Sequence, residues 1–392
     1  MQVKPELIGR IQAAVRRERL LDTATRLVEV KSWTGEAGAV SDRLAEILTA
    51  DGFTVLRPAA GHPVAPAVVT HFESGTPGRC LQFNGHLDTV HLPFIPPKVV
   101  DGKLTGSGSC DMKGGVAAMV EALRAIRDAR VLHAGSILVT AHDLHEAPWG
   151  YGAQLDQLIR EGIHGDAVLI PEPLCDRVPT VGRGSATWKI HVRRSGPPIH
   201  EVMRPIHEPN VIAAGADLVS RLMKLNDNLS RKSDPQAGQE SLFIGQIHSG
   251  EIFNQYPQEC WLEGTRRWLP ETDPAAVESE FRDLIARFAA DWRVEAIVEY
   301  NLIRNAFRLD LAHSFVASFR ECYTAVSGKT IPLGPKPFVD DGNSFWRLAN
   351  VPAITHGARA GGQHTTEEWV DLDDLARVAM VYAATAACFC VK

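Results

Sequence analysis

The chain has 392 residues, with 45% hydrophobic residues, 22% charged residues and a formal net charge of −6. Its length suggests two domains, and the composition is that of a globular protein with ample material for a core. Because the charge is spread along the chain without long runs of one sign, neither nucleic acid nor an anionic membrane is an expected partner.

The compartment is predicted from the N-terminus and the cysteines. The first 30 residues mix apolar residues at helical spacing with charges, unlike a signal peptide, and no stretch approaches the roughly 18 apolar residues that a membrane span needs. The seven cysteines are an odd number without CxxC spacing, which is typical of a reducing compartment. We predict a cytoplasmic protein.

The first predicted elements form an α/β pattern. Helices are expected at about residues 5–31 and 38–52, followed by strands in FTVLRP, AVVTHF and CLQFNGHLDTV. A helix in MKGGVAAMVEALRAIRDAR then precedes two apolar runs of strand length, GSILVTAHD and AVLIPEP, which are separated by the helix-like AQLDQLIREG. Such alternation predicts a mainly parallel sheet with helices on both faces.

The pattern changes near Gly182 into strand, helix, strand, strand, helix, strand, which resembles a split-βαβ, ferredoxin-like α+β domain. The α/β pattern resumes near Asn301. We therefore predict a first domain in two parts, residues 1–182 and 301–392, interrupted by an inserted domain at residues 183–300.

Candidate metal ligands follow several of the predicted strands. GHLDTV places His86 and Asp88 two residues apart at a strand end, on the same side, so that His86 could bind a metal while Asp88 fixes its tautomer. Asp111 lies in a glycine-rich turn before a helix. Glu146 and Glu172 follow two further strands, at the edge where parallel sheets assemble their sites.

Taken singly, each of these residues is more often an ordinary polar residue than a ligand. Their order and context change the interpretation, since HxDxV, GxGxxDMKGG and a late GxxHTxxE containing His364 occur together. The chain resembles the co-catalytic zinc family of aminoacylase, acetylornithine deacetylase, succinyl-diaminopimelate desuccinylase and glutamate-releasing carboxypeptidases. The resemblance runs from about residue 15 to residue 385 and includes an inserted lid and dimerisation domain.

The resemblance implies a role for each matching residue. His86, Asp111 and Glu172 match metal ligands, with Asp111 bridging if two ions are bound, and Asp88 matches the residue that orients His86. Glu146 matches the general base that takes a proton from metal-bound water. The implied cofactor is zinc, manganese or cobalt, with one or two ions per subunit.

One position departs from the family pattern. In the family, the second ion is held by the glutamate directly after the general base and by the late histidine, which is His364 here. The residue after Glu146 is Ala147. We therefore expect a single ion, unless His142 or His145 replaces the missing carboxylate.

The inserted domain carries further matches. His200 resembles a lid histidine that reaches across a dimer to stabilise the oxyanion, and His207 is a rival for that role. Arg267 matches an arginine that binds a substrate carboxylate, with Arg266 as its structural alternative, and Asn254 matches an asparagine near that anion site.

The loop THGARAGG lacks the family's GPG, so Arg359 is a further candidate for contact with the substrate. These matches imply a small-molecule substrate with a carboxylate and a homodimer, or a higher homo-oligomer, formed through the inserted domain.

The leading hypothesis is a metal-dependent hydrolase that cleaves an amide-like C–N bond, acting as an N-acyl amino acid deacylase or on small peptides. A second hypothesis is hydrolytic deamination of an activated aromatic amine, suggested by Ala147, the missing GPG and the aromatic residues Trp149 and Tyr151 after Glu146. A third is a non-catalytic relative that only binds a ligand.

Overall fold

The computed structural model describes residues 3–391 and contains ten α-helices in that range. They are α1 (Pro5–Ala14), α2 (Arg17–Val28), α3 (Gly38–Ala50), α4 (Lys113–Ala129), α5 (Ala153–Arg160), α6 (Val211–Leu229), α7 (Pro274–Trp292), α8 (Ser314–Ser327), α9 (Asp341–Ala349) and α10 (Leu372–Phe389). The N-terminal helix predicted at 5–31 is thus two helices, α1 and α2.

The strands of the same range are β1 (Val55–Leu56), β2 (Val68–Glu73), β3 (Cys80–His86), β4 (Lys98–Val100), β5 (Lys103–Thr105), β6 (Ser136–His142), β7 (Ala167–Ile170), β8 (Val178–Gly182), β9 (Gly184–Arg193), β10 (Ile199–His200), β11 (Ser233–Asp234), β12 (Gly238–Gln239), β13 (Ser241–Ser249), β14 (Gln255–Tyr256), β15 (Glu259–Trp268), β16 (Glu295–Arg304), β17 (Phe307–Arg308), β18 (Leu333–Pro335), β19 (Ala353–Thr355), β20 (Ala360–Gly361) and β21 (Trp369–Asp371).

The first of two compact units runs to Thr180 and resumes at Arg308–Gly334 and from Asp340 onward. Its main sheet has the order β1-β2-β6-β3-β7-β19. Strands β6, β3, β7 and β19 pair in parallel, while β1 and β2 are antiparallel additions at one edge. The sheet is therefore mixed, with a parallel centre that brings the carboxyl ends of β3, β6 and β7 to one edge.

Helix α4 is buried from Lys113 to Ile126. The close packing of its first turn requires the two glycines of the DMKGG motif. A Cβ on Gly114 would lie 2.4 Å from the carbonyl oxygen of Ser109, and one on Gly115 would lie 2.4 Å from that of Pro171. Both contacts are closer than a side chain tolerates. The two glycines thus let the helix start pack directly against the segments that carry Asp111 and Glu172.

The second unit comprises Val181–Phe307 and Pro335–Val339. Its sheet, in the order β13-β15-β9-β16, is antiparallel throughout. Its core includes Trp188 of β9, Leu218 of α6 and Phe281 of α7. Because β16 pairs along its length with β9, the unit extends to Phe307, beyond the expected boundary at residue 300.

Within residues 3–391, no helix is long and apolar enough to cross a membrane. The seven cysteines are all free, and four of them, Cys110, Cys260, Cys322 and Cys390, are buried. Buried free cysteines behave as small hydrophobic residues.

Candidate metal centre

Four of the predicted site residues of the first unit meet at the carboxyl edge of the parallel strands. His86 is the last residue of β3, Glu172 follows β7 by two residues, and Glu146 follows β6 by four. Asp111 comes from the turn that precedes α4. This is the edge at which open α/β sheets assemble their sites.

A first group of donors forms around His86. Its Nε2 atom lies 3.0 Å from Asp111 Oδ1 and 3.5 Å from Glu172 Oε1. The Nδ1 atom lies 3.0 Å from the backbone carbonyl oxygen of Asp88. A proton on Nδ1 is donated to that carbonyl, so Nε2 is the nitrogen directed at the two carboxylates.

A second group forms around His364, which is brought from far along the chain. Its Nε2 atom lies 3.3 Å from Asp111 Oδ2 and 3.2 Å from Glu146 Oε1. The two oxygens of Asp111 thus face different histidines. Hydrogen bonds to Asp111 and Glu146 raise the pKa of His364 to about 10. Its side chain is 54% exposed, so this side of the centre is open to solvent.

Asp88 positions the centre in two ways. Besides its carbonyl contact with His86, its buried carboxylate accepts hydrogen bonds from the backbone N–H groups of His145 and Glu146, at 3.0 Å and 3.1 Å. Burial opposes the ionised form of Asp88, but hydrogen bonding to His86 holds its pKa well below the ordinary value. Asp88 therefore fixes both His86 and the segment that follows β6.

Glu368 is the last residue of the GxxHTxxE motif that contains His364, and the sequence alone did not indicate its role. Its carboxylate accepts hydrogen bonds from the backbone N–H groups of Cys110 and Asp111, both at 3.2 Å. Burial and the nearby charge of Asp111 raise the pKa of Glu368 to about 7. The residue holds the turn from which Asp111 reaches the centre, which only the folded structure reveals.

The donor set fits divalent metal ions. Zinc holds nitrogen and oxygen donors at about 2.0–2.2 Å in a tetrahedron, so two donors of one ion lie about 3.3–3.6 Å apart. The separations of 3.0–3.5 Å within the two groups are of this size. Burial and the negative charge of Asp111 raise the pKa of Glu172 to about 7. A cation between these carboxylates would relieve that repulsion.

The donor groups around His86 and His364 share Asp111, and their composition indicates how many metal ions the centre could hold. We expected one ion because Ala147 offers no ligand. The structure places Glu146 itself beside His364 and Asp111, so the second group has three donors without any contribution from position 147. A second ion therefore does not require a ligand at position 147.

Neither histidine considered as a substitute joins this second group. His142 is buried, and its Nε2 lies 2.9 Å from Asp341 Oδ2. His145 lies on the other side of the centre, with Nε2 3.7 Å from Glu172 Oε1 and Nδ1 2.8 Å from Asp341 Oδ1. Asp341, which was not a candidate from the sequence, therefore binds both histidines.

In the second unit, His200 and Asn254 come together. Strand β10, which contains His200, pairs with β14, and Asn254 Nδ2 lies 3.0 Å from His200 Nε2. His200 is exposed and Asn254 is half-buried. His207 is exposed and lies in the segment between β10 and α6.

The neighbouring arginines of β15 differ. Arg266 is buried and its guanidinium lies 2.7 Å from Glu240 Oε2, which makes it part of the core of the second unit. Arg267 is half-buried, and its pKa is lowered by burial and by the charge of Arg183. The sequence did not single out Arg183, which places a second guanidinium near Arg267.

Arg359 is not brought to the metal centre. Its guanidinium forms an ion pair with Asp371, its backbone N–H donates to Asp374 at 2.6 Å, and its side chain is 66% exposed. The structure therefore places Arg359 in a surface ion pair, and its assignment as a substrate contact stays a prediction.

A stack of three rings lies next to the segments that carry the ligands. Trp33 stacks on His91 with centroids 5.4 Å apart, and His91 stacks on Trp149 at 4.1 Å. His91 follows Asp88 by three residues, and Trp149 follows Glu146 by three. Trp149 remains 42% exposed, so it presents aromatic surface to solvent.

The comparisons with known proteins identify the family of the chain. Residues 82–387 match the family described as peptidase family M20/M25/M40. A succinyl-diaminopimelate desuccinylase of Methylorubrum extorquens is 30% identical over 92% of this chain and 96% of that protein.

Two solved structures share the fold. A tripeptidase of Staphylococcus aureus has a TM-score of 0.80 at 22% identity and covers 96% of this chain and 99% of its own. A dinuclear metal-binding M20 peptidase of Bacillus subtilis has a TM-score of 0.69 at 15% identity, covering 95% and 98%.

The fold and the donor groups define a metallohydrolase with a mixed α/β catalytic unit. The chain belongs to peptidase family M20/M25/M40, which confirms the resemblance inferred from its motifs. It is a metal-dependent hydrolase that acts on amide-type C–N bonds. This agrees with the leading hypothesis and disagrees with the hypothesis of a relative that only binds a ligand.

Proposed function

We propose that the protein hydrolyses the amide bond of a small carboxylate-bearing substrate, as an N-acyl amino acid deacylase or a small-peptide hydrolase. The observation that carries the proposal is that the two oxygens of Asp111 face His86 and His364, which lie 3.5 Å from Glu172 and 3.2 Å from Glu146 respectively. The two donor groups would each hold one divalent ion of zinc, manganese or cobalt. Such ions polarise the attacked carbonyl group and lower the pKa of water to about 7.

The chain itself supplies the groups that must handle protons. Two side chains beside the donor atoms can exchange protons, Glu146 on the side of His364 and His145 on the side of His86. One of them takes a proton from the water and returns it to the leaving nitrogen, so that the amine departs neutral. The similarity to a desuccinylase supports an N-acyl amino acid as the substrate class.

Arg267 is the proposed carboxylate-binding residue. Burial lowers the pKa of Arg183. Burial and the positive charge of Arg183 together lower the pKa of Arg267. Two guanidinium groups that are near one another and partly removed from water favour an anion as their common partner. The carboxylate of an amino acid is an anion of suitable size.

We also propose a homodimer formed through the second unit. Strand β13 lies at the edge of its sheet and exposes Phe243 (63%) and Ile247 (50%), and the loop that follows exposes Ile252 (64%) and Phe253 (100%). Long apolar edge strands are normally covered by a partner. In such a dimer, His200 would stabilise the oxyanion at the partner's centre, with Asn254 beside it and His207 as the second candidate.

The experiment compares a panel of N-acyl amino acids and dipeptides with their C-terminal amides, after reconstitution with zinc, manganese or cobalt. We expect amine release from the acids, with a much higher KM for the amides. Arg267→Met should remove this preference by raising KM for the acids. Failure to release amine from any member of the panel would overturn the proposal.

The aromatic stack favours a second candidate function, hydrolytic deamination of a planar amine. The exposed ring of Trp149, backed by His91 and Trp33, offers a stacking surface for a flat substrate. The same centre would then direct water to a ring carbon and release ammonia. Release of ammonia without a carboxylic acid distinguishes this reaction from amide hydrolysis.

A further inference from the structure

His145 is held next to the metal centre from three directions. Its Nδ1 atom lies 2.8 Å from Asp341 Oδ1. Its ring stacks on the ring of His86, with centroids 3.9 Å apart and an interplanar angle of 11°. Its backbone N–H donates to the carboxylate of Asp88 at 3.0 Å. These contacts leave the imidazole little freedom to turn.

Asp341 is built to fix that imidazole. It is fully buried in the first turn of α9, and its other oxygen, Oδ2, receives Nε2 of His142 at 2.9 Å and Nδ2 of Asn84 at 2.8 Å. A carboxylate with these partners is an acceptor, so the hydrogen bond with His145 requires a proton on Nδ1. Nε2 of His145 is then the unprotonated nitrogen.

That nitrogen belongs to the side of the centre formed by His86 and Glu172. Donor atoms of His86, His145 and Glu172 lie within 4.8 Å of one another, and Nε2 of His145 is 3.7 Å from Glu172 Oε1. The lone pair of an imidazole nitrogen lies in the plane of its ring. Because the two rings are nearly parallel, their lone pairs do not converge on one ion, and His145 flanks the ion of His86 rather than sharing it.

Glu146, by contrast, lies among metal donors. Its Oε1 atom is 3.2 Å from His364 Nε2, and donor atoms of His86, Asp111 and Glu146 lie within 4.8 Å of one another. With Glu146 bound to the second ion, its carboxylate is committed to that ion. The acceptor for a proton must then come from the neighbouring position in the chain.

We infer that His145, oriented by Asp341, takes the proton of the attacking water, and that Glu146 is a ligand of the second ion. The inference rests on the proposed hydrolysis. As the water oxygen bonds to the carbonyl carbon, its proton moves to Nε2 of His145. The same proton passes to the leaving nitrogen as the C–N bond breaks. The Nδ1 proton remains in its hydrogen bond with Asp341, which is therefore a positioning residue.

The test uses three variants of the full chain: His145→Gln, Glu146→Gln and Asp341→Asn. Bound metal is counted by elemental analysis, and kcat and KM are measured with an N-acyl amino acid that the native enzyme hydrolyses. We expect His145→Gln to keep two ions and its KM while kcat falls by about 10²–10⁴-fold. Asp341→Asn should lower kcat at unchanged KM and metal content. Glu146→Gln should retain one ion instead of two.

A matched control is His62→Gln, since His62 also pairs with an aspartate of the first unit, at 3.1 Å from Asp143, and neither residue belongs to a donor group. It should keep native metal content and kcat. Glu146→Gln that keeps both ions while losing kcat would overturn the inference in favour of Glu146 as the base. His145→Gln that loses an ion would make His145 a ligand and would overturn it equally.

A separate readout does not depend on any reaction. In the metal-free protein, the Nδ1 proton of His145 should give a downfield NMR resonance that disappears in His145→Gln and shifts in Asp341→Asn. If the native enzyme hydrolyses no substrate, the proposed function fails, while this resonance and the metal counts still decide the tautomer and the role of Glu146. Absence of the resonance would contradict the assigned tautomer.

Discussion

Arg266 and Arg267 are adjacent in β15 but should respond to the same substitution in opposite ways. Arg266 is 1% exposed and its partner Glu240 is fully buried, at 2.7 Å. Arg266→Met removes the buried cation of that carboxylate and leaves only the exposed Lys232, 4.0 Å away, which costs about 3–5 kcal/mol. For a unit of this size, the loss corresponds to a decrease in Tm of about 10–15 °C. Arg267→Met should cost less than about 1 kcal/mol and act on KM instead.

The assay is differential scanning calorimetry of both variants beside the native protein, followed by measurement of KM on the properly folded samples. The reasoning requires a large fall in Tm for Arg266→Met alone and a raised KM for Arg267→Met alone. A large loss of stability in Arg267→Met, or a negligible one in Arg266→Met, would refute the assignment of one arginine to the core and the other to the substrate.

The same pair gives a pH dependence with a definite sign. Burial opposes ionisation of Glu240, but hydrogen bonds from Thr272 and Arg266 hold its pKa below the ordinary 4.5. Because the folded-state pKa is lowered, ionised Glu240 contributes stability above about pH 4.5, and this contribution is lost as the pH falls through the folded-state pKa. The difference in stability between the native protein and Glu240→Gln should therefore shrink below pH 4.5.

Three further outcomes are expected. Gly115→Ala should lower the free energy of unfolding, measured in urea, by about 1–3 kcal/mol, because the new methyl group would lie 2.4 Å from the Pro171 carbonyl oxygen. Gly9→Ala, at a position inside α1 with open space around it, should raise the free energy of unfolding by about 0.5–1 kcal/mol. Removal of metal by a chelator should lower Tm, and metal at 100 times its Kd should restore about 2.7 kcal/mol, whereas a constant Tm would argue against a bound ion. Ala147→Glu should leave the metal content unchanged by elemental analysis, because Glu146 already completes the second group, and a gain of one ion would contradict that assignment.

The sequence was most informative where a motif has a local cause. Strand ends and glycine-rich turns fix the positions of His86, Asp111 and Glu172, so the centre could be predicted from spacing, strand pattern and resemblance. The split between α1 and α2 was not predicted, because Val15 and Arg16, whose extended backbone separates the two helices, are neither glycine nor proline.

Other features depend on contacts between distant segments. Asp341 was not a candidate from the sequence, but Asp340 caps α9 in a capping box with Asn343, and Asp341 in the first turn reaches His145. Arg359 was a candidate because of its positive charge, and no neighbouring residue in the sequence indicated that it would form an ion pair with Asp371. The relation of Glu146 to His364, 218 residues apart, could not be derived from the composition of either segment.

The most direct test of the proposed function is the product balance of a single turnover. Metal-loaded enzyme is incubated with an N-succinyl or N-acetyl amino acid, and the carboxylic acid, the amine and ammonia are quantified by NMR and an enzymatic ammonia assay. We predict one equivalent each of acid and amine and no ammonia, with the reaction lost on chelation and restored by zinc, manganese or cobalt. No cleavage of any acyl amino acid, with ammonia released from a planar amine instead, would contradict amide hydrolysis and establish the deaminase as the function of this centre.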